Sequence, residues 1–150
     1  MVRKLKIVKM QYIEIKEEFP FSVDKLYAYL EVHENLGNLF SPMKVKTVLE
    51  GKSEKYGIGS VRRMQIAFEP PMEETITDCK RNERIEYKIT KGSPLQNHYG
   101  VMKFAAAPNG SSLHYTIEFD SSIPFVAAIV KFGLEYGIKK GLKKLKNTNL

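Results

Sequence analysis

The sequence predicts an α+β protein in which an antiparallel β-sheet is covered on one face by a long C-terminal helix. Apolar and polar residues alternate with a period of two along most of the chain, which is typical of strands. Helical spacing appears only in a short stretch after the first strand and again at the C-terminal end. Strands in succession, with the helices kept apart from them, favour an antiparallel sheet with one wet and one covered face.

The N-terminal part of the chain combines one strand with two short helices. In QYIEIKEEF, alternate residues from Gln11 to Phe19 share one face, and the centre of that face is apolar. Ser22 is suited to cap a helix in SVDKLYAYL, where apolar residues recur at three- and four-residue spacing. A second short helical turn is expected before Pro42, and Gly37 is expected to end or kink the segment FPFSVDKLYAYLEVHENLGNLF.

About six strands follow in hairpin succession from Lys44 onward, which makes about seven in total. Their segments are KVKTVLE, SVRRMQIAF, MEETITDC, ERIEYKIT, residues 98–106 and LHYTIEF. Glycine, proline and asparagine mark the turns between them.

Two prolines predict the register of the hairpin between SVRRMQIAF and MEETITDC. Pro70 and Pro71 cannot donate a ladder hydrogen bond, so we place the hairpin loop there. In this register Arg62 lies opposite Asp78, which gives the arginine a nearby carboxylate.

The C-terminal segment PFVAAIVKFGLEYGIKKGLKKLK carries two apolar stripes when it is drawn as a helix at about 100° per residue. The first stripe runs on into lysines and consists of Phe125, Ile129, Phe132 and Tyr136. The second continues to the end and consists of Val126, Val130, Leu134, Ile138, Gly141 and Leu145. Beside it lie Gly133, Gly137 and Gly141, which we expect to allow close approach of the sheet.

A helix that lies on a membrane is the alternative for this segment. Such a helix would present one broad apolar face along its whole length. The segment is instead apolar nearly all round at its start and one-sided only later, which favours a helix buried within the protein. Membrane contact stays open for its last two turns.

Length and composition favour one domain, residues 1–150, in a reducing compartment. At 150 residues the chain can bury about 70% of the surface that it exposes when unfolded. Its single cysteine, Cys79, cannot form an internal disulfide. No signal peptide is apparent, and the longest uncharged run near the C-terminus, 121–130, falls short of the roughly 20 residues that span a bilayer. We expect a soluble cytoplasmic protein.

The net charge of +7 is concentrated at the two ends of the chain. Basic residues cluster at Arg3, Lys4, Lys6 and Lys9 and again at Lys139, Lys140, Lys143, Lys144 and Lys146. Such ends attract an acidic carrier protein or an anionic membrane surface, or they serve only solubility. Nucleic acid is the least favoured partner, because the clusters are mainly lysine with few interleaved aromatic residues.

The order of these segments resembles the START-like superfamily, also called SRPBCC, and within it the polyketide cyclase/dehydrase and lipid-transport branch. The segments that carry the resemblance are FPFSVDKLYAYL, YGIGSVRRM, PPMEETIT, RIEYKI, GSPLQNHYGVMKF, NGSSLHYTIEF and IPFVAAIVKFGLEYGIKKGLKKL. The resemblance covers residues 12–145 and implies a helix-grip fold, in which a curved antiparallel sheet wraps around the C-terminal helix. It also implies a hydrophobic ligand cavity between the two.

Such a layout assigns a lining to the cavity. On the sheet the lining comprises Arg62, Met64, Ile66, Glu74, Ile76, Tyr87, Ile89, His98, Met102, Phe104, Tyr115 and Ile117, and the helix adds Phe125, Ile129, Phe132 and Tyr136. The same side chains would also make a solid core, and the resemblance is what favours the cavity.

Five polar residues in this lining carry the candidate chemistry, because an inward polar group must be paired or must meet a ligand. They are Arg62, Glu74, Tyr87, His98 and Tyr115. Arg62 either forms a structural ion pair or anchors a carboxylate or carbonyl group of a ligand. His98 is either a satisfied core residue or a general acid or base, with Tyr87 or Tyr115 polarising a carbonyl.

Three functions remain open. No metal-ligand spacing, dinucleotide motif, phosphate loop or nucleophile elbow is present, so we expect neither a metal nor a cofactor. The first function is binding, transport or sequestration of a small hydrophobic or amphipathic molecule such as a lipid or polyketide. The second is a cyclase or dehydrase that uses His98 and the cavity tyrosines. The third is an interaction module whose basic ends dock a partner while the pocket is vestigial.

Overall fold

The computed structural model describes residues 10–67, 69–123 and 125–150, and in these ranges the chain forms seven strands and three helices. The strands are β1 (Gln11–Phe19), β2 (Lys44–Leu49), β3 (Val61–Gln65), β4 (Met72–Lys80), β5 (Arg84–Lys91), β6 (Leu95–Ala107) and β7 (Gly110–Ser121). The helices are α1 (Val23–Glu31), α2 (His33–Leu39) and α3 (Val126–Lys146).

All seven strands belong to one antiparallel sheet with the order β1-β7-β6-β5-β4-β3-β2. The first strand therefore pairs with the last, and the two short helices carry the chain from β1 to β2 at the opposite edge. The predicted α+β architecture is confirmed, with its two short helices after the first strand and its long helix at the end.

The helix α3 packs on one face of this sheet, which we call the inner face. Strand residues of this face, such as Ile13 and Ile117, form one apolar core with Ile138, Leu142 and Leu145 of α3. Burial along the strands follows the predicted period of two, because side chains at alternate positions point to the same face. The same core takes in the buried residues of α1 and α2.

The register predicted for the β3–β4 hairpin is wrong by four residues. Arg62 lies opposite Glu74, not Asp78, and Met64 lies opposite Met72. The chain turns before the prolines, where the backbone N–H of Glu69 donates to the carbonyl of Ile66 at 3.0 Å. Because the shift is an even number, Arg62, Glu74 and Ile76 keep the face that was predicted for them. Asp78 does not, because the β4–β5 register shifts between Ile76 and Asp78, and its half-exposed carboxylate pairs with Arg84 instead.

The orientation predicted for α3 is also wrong. The stripe that we expected against the sheet faces solvent, with exposed fractions of 82% for Phe125, 70% for Ile129, 76% for Phe132 and 70% for Tyr136. The second stripe faces inward, where Ile138 and Leu145 are buried and Val130 and Leu134 pack against the core. The two stripes lie on opposite sides of the helix, so only one of them can meet the sheet.

Of the three helix glycines, only Gly141 allows a close approach. A Cβ at Gly141 would lie 2.7 Å from the ring of Phe40 and 2.8 Å from the carbonyl oxygen of Leu39. The close partner is therefore the end of α2 and not the sheet. At Gly133 and Gly137, no atom of the described residues lies within 4 Å of where a Cβ would stand, so the expectation fails for them.

Candidate functional site

Five polar side chains from five successive strands converge on the inner face, and we call them the polar cluster. Each strand from β3 to β7 contributes one member, and the exposed fractions lie between 2% and 7%. The members are Arg62, Glu74, Tyr87, His98 and Tyr115. All five were predicted to face inward, and the fold brings them together.

Arg62 and Glu74 form a buried ion pair at the β3 end of the cluster. The Nε and terminal nitrogen of Arg62 both lie 2.8 Å from Oε1 of Glu74, and the guanidinium carbon lies 4.5 Å from the ring centre of Tyr87. Burial lowers the pKa of Arg62, but the charge and hydrogen bond of Glu74 and the two nearby tyrosines together outweigh it, so the net shift is upward. The arginine therefore stays charged and is compensated within the protein.

The two tyrosines hydrogen-bond to each other through their hydroxyl groups. Burial raises the pKa of both Tyr87 and Tyr115, so both are neutral phenols at physiological pH. A phenol carries one hydroxyl hydrogen, and the bond between them uses only one of the two. The pair can therefore donate one further hydrogen bond to a bound molecule.

A glycine in the middle of β6 makes this contact possible. Gly100 lies directly opposite Tyr87 on β5, and a Cβ at Gly100 would collide with the tyrosine ring. The ring of Tyr87 thus lies across β6 and reaches Tyr115 on β7. Glycine inside a strand often marks such a close approach.

A bulge in β6 positions His98. The β6–β7 register shifts between Gln96 and Tyr99, with Asn97 at a φ of 53°. The His98 ring then accepts a hydrogen bond at Nδ1 from the backbone N–H of Ile89, at 3.0 Å. Because a backbone N–H can only donate, Nδ1 carries no proton, and the neutral ring carries its proton at Nε2.

The proton of His98 points toward the ion pair. Its Nε2 lies 3.9 Å from Oε2 of Glu74, which is beyond hydrogen-bond distance. Burial lowers the pKa of His98; Glu74 opposes this shift and Arg62 adds to it. The imidazole is therefore neutral at physiological pH and acts as a hydrogen-bond donor at the centre of the cluster.

Most of the predicted apolar lining lies on the same face as the cluster. Its buried members are Met64, Ile76, Met102, Phe104 and Ile117, and Ile89 is half-buried. Ile66 was also predicted to line the cavity, but it lies beyond the end of β3 and is 43% exposed. The four predicted lining residues of α3 are on the opposite side of that helix, as described above.

Two surface depressions lie away from the polar cluster. One, of about 510 Å³, is lined by residues of β1 and β7 together with Lys146. The other, of about 310 Å³, lies beside it around Pro20 and Asn109. Neither is lined by a member of the cluster.

The residues that the structure describes contain neither a metal-binding group of side chains nor a membrane-spanning helix. Within residues 10–67, 69–123 and 125–150, no three histidine, cysteine or acidic side chains are grouped so that they could hold a metal ion. Across the same ranges, no helix is both long enough and apolar enough to cross a bilayer.

The cluster as a whole carries no net charge, which limits the groups that it can recognise. Arg62 and Glu74 cancel each other, and the histidine and both tyrosines are neutral. Its available donors, the Nε2–H of His98 and one phenolic O–H, suit an uncharged oxygen such as a carbonyl or hydroxyl. An anion would gain little from an arginine that is already paired.

Sequence reasoning missed two positions that shape the site. Gly100 gives the ring of Tyr87 its space, and Asn97 forms the bulge that turns His98 inward. A signal existed for the first, because a glycine within an alternating strand is itself a cue for close packing. The bulge left no comparable cue, since Asn97 stands in an otherwise ordinary polar stretch.

Comparison with solved structures shows the same fold at low sequence identity. Ara h 8.0201 is 17% identical with a TM-score of 0.70, and the match covers 94% of this chain and 100% of that chain. A truncated norcoclaurine synthase from Thalictrum flavum is 12% identical with a TM-score of 0.72, covering 95% of this chain and 97% of the other. The Thalictrum flavum enzyme in complex with dopamine and hydroxybenzaldehyde is 11% identical with a TM-score of 0.65, covering 95% and 91%.

Comparison at the level of sequence identifies a family. No curated protein sequence matches the chain. A family model described as polyketide cyclase / dehydrase and lipid transport matches residues 10–148, nearly the whole chain. The helix-grip fold implied by the resemblance is confirmed by the solved structures, and the chain belongs to the polyketide cyclase/dehydrase and lipid-transport family of START-like proteins.

Proposed function

We propose that the protein binds a small hydrophobic or amphipathic molecule, such as a lipid or polyketide, between the inner face of the sheet and α3. The observation that carries the proposal is the convergence of five buried polar side chains from five strands within an apolar face. Hydrophobic ligand binding is the class of function that the family and the fold support.

The cluster would orient the ligand while the apolar face provides affinity. Buried apolar surface contributes about 25 cal/mol per Å², whereas one hydrogen bond contributes about 1 kcal/mol net. An uncharged oxygen of the ligand would accept from Nε2–H of His98 or from the tyrosine pair. The ligand would thus carry a carbonyl or hydroxyl group on an otherwise apolar body.

Native mass spectrometry of the gently purified protein, followed by organic extraction, tests this proposal. We expect a reproducible non-covalent adduct whose extract is an apolar, uncharged, oxygen-containing compound. A protein without any adduct, and without saturable binding of the uncharged dye Nile red, would contradict it.

A pair of tyrosine variants tests the role of the cluster. Tyr87→Phe combined with Tyr115→Phe removes both phenolic hydrogens and leaves the pair no donor, so we expect the extracted compound to bind about 2- to 10-fold more weakly, as for the loss of one hydrogen bond. The control is Tyr12→Phe, because Tyr12 lies on β1 and is 51% exposed. Equal affinity in both variants would exclude the tyrosine pair from recognition.

Catalysis at the polar cluster is a second candidate, favoured by one observation. Nε2–H of His98 and the neutral tyrosine pair are donors within one cluster, an arrangement that can polarise a carbonyl. Norcoclaurine synthase, which shares the fold, is named as an enzyme and was solved with dopamine and hydroxybenzaldehyde. On any substrate that this protein turns over, unchanged turnover in His98→Ala would remove the proposed acid or base.

A further inference from the structure

The outer side of α3 presents a line of large apolar side chains to solvent. Phe125, Ile129, Phe132 and Tyr136 recur at three- and four-residue spacing and are 70% to 82% exposed, and Ile123 just before the helix is 52% exposed. We call the four helix residues the outer stripe. Contiguous exposed apolar surface of this kind is uncommon unless it meets a partner or a membrane.

The same line continues into positive charge. One and two turns beyond Tyr136, at the same angle on the helix, stand the exposed Lys140 and Lys143. Within residues 10–67, 69–123 and 125–150, neither lysine forms an ion pair. The face therefore passes from apolar to cationic along about 27 Å of helix, at a rise of about 1.5 Å per residue.

Negative charge is almost absent from this helix. Its only acidic residue, Glu135, is bonded to Lys139 at 3.0 Å. A second copy of the chain that docked through α3 would bring more lysines to the interface and no unpaired carboxylate to meet them. An anionic lipid surface offers an apolar acyl region for the outer stripe and negatively charged headgroups for the lysines.

We propose that the outer face of α3 binds anionic membrane surfaces. The helix would lie in the plane of the interface, with Phe125, Ile129 and Phe132 entering the acyl boundary and Tyr136 at headgroup level. Lys140 and Lys143 would contact anionic headgroups. This binding does not depend on the proposed ligand. The outer stripe faces solvent, whereas the polar cluster is buried on the inner face of the sheet.

Site-specific fluorescence provides the test, since the chain contains no tryptophan. Phe132→Trp places a single reporter in the stripe, and Ile58→Trp places one at a 49% exposed site elsewhere. With vesicles of phosphatidylcholine containing about one third phosphatidylserine, we expect a blue shift for Phe132→Trp and none for Ile58→Trp. No shift in either variant would overturn the proposal.

Vesicle co-sedimentation separates the two parts of the surface. Ile129→Ser with Phe132→Ser, and separately Lys140→Glu with Lys143→Glu, should each weaken binding about tenfold or more. Lys103→Glu, an exposed lysine of β6, is the charge control and should change binding little. All three variants alter exposed side chains, and circular dichroism verifies their folding.

Three other outcomes would count against the proposal. Equal binding to pure phosphatidylcholine vesicles would contradict the role of the lysines. Binding that persists in the stripe variant would contradict the role of the apolar residues. A wild-type dimer in sedimentation velocity that the stripe variant abolishes would assign the face to a second copy of the chain.

Discussion

At the residue scale, the ion pair of Arg62 and Glu74 contrasts with its immediate neighbour in the same hairpin. Arg63 and Glu73 occupy the next cross-strand position and also pair at 3.0 Å, but the side chain of Arg63 is 48% exposed. Arg62 and Glu74 are 3% and 6% exposed in their side chains. The two pairs thus differ mainly in burial, which decides what each contributes to stability.

Loss of one partner should therefore cost far more in the buried pair than in the exposed pair. Glu74→Ala leaves a buried guanidinium without its counter-charge, and we expect the free energy of unfolding to fall by about 3–5 kcal/mol. Glu73→Ala should lower it by less than about 1 kcal/mol. Urea denaturation followed by circular dichroism measures both losses. Similar losses in the two variants would contradict the prediction, because they would show that Glu74→Ala does not leave Arg62 as an unpaired buried charge.

At the element scale, the three glycines of α3 divide into one that packs and two that do not. Gly141 faces the end of α2, while the positions of a Cβ at Gly133 and Gly137 are open. Glycine within a helix costs up to about 1 kcal/mol relative to alanine, because it loses more conformational freedom on folding. Only at Gly141 is that cost offset by close packing.

Alanine substitutions at these positions should have opposite signs. Gly133→Ala should raise the free energy of unfolding by roughly 0.5–1 kcal/mol. Gly141→Ala should lower it by about 1–3 kcal/mol, since its methyl group meets the ring of Phe40 and the carbonyl of Leu39. Thermal and urea unfolding of the two variants checks this, and stabilisation by both would mean that α3 and α2 do not approach closely.

At the scale of the whole molecule, two buried neutral histidines tie stability to pH. Burial, with a contribution from Arg62, lowers the pKa of His33 to about 3, and burial also lowers the pKa of His98. Nε2 of His33 lies 2.7 Å from the hydroxyl of Ser60, and its Nδ1 is buried without a hydrogen-bond partner among the residues that the structure describes. In the unfolded chain both rings would titrate near their ordinary pKa of about 6.5.

Stability should therefore fall as the pH is lowered through 6.5. Below that value the unfolded chain binds protons that the folded protein does not, which favours unfolding. Between pH 7 and pH 5.5 we expect a loss of roughly 1 kcal/mol from His33 and a further loss of the same sign from His98, measured by urea denaturation at each pH. The variant His33→Gln should show a shallower dependence on pH, and a profile parallel to that of the unmutated protein would contradict this account.

The sequence predicted much of the fold and which polar residues of the site face inward, but not which of these side chains contact each other. Single positions show why. The hairpin register was off by four residues, yet Arg62 and Glu74 still faced inward because strand side chains alternate with a period of two. The same periodicity explains why Glu74 was not identified as the partner of Arg62. Any register shift by an even number of residues leaves the same side chains facing inward, so the pattern cannot distinguish between these registers. The meeting of Tyr87 with Tyr115 across Gly100 depends on strand order and could not be predicted locally.

The sequence by itself determined the elements, the antiparallel sheet and the inward face of each strand, because periodicity is a local property of the chain. Only the tertiary structure decided which side of α3 meets the sheet, because both stripes are apolar and burial depends on what lies opposite. The lysines at the end of the outer stripe were the available cue, since charge belongs in water. The segment PFVAAIVKFGLEYGIKKGLKKLK thus buries its second stripe and exposes its first, and this exposed apolar and cationic face is the one for which we propose membrane binding.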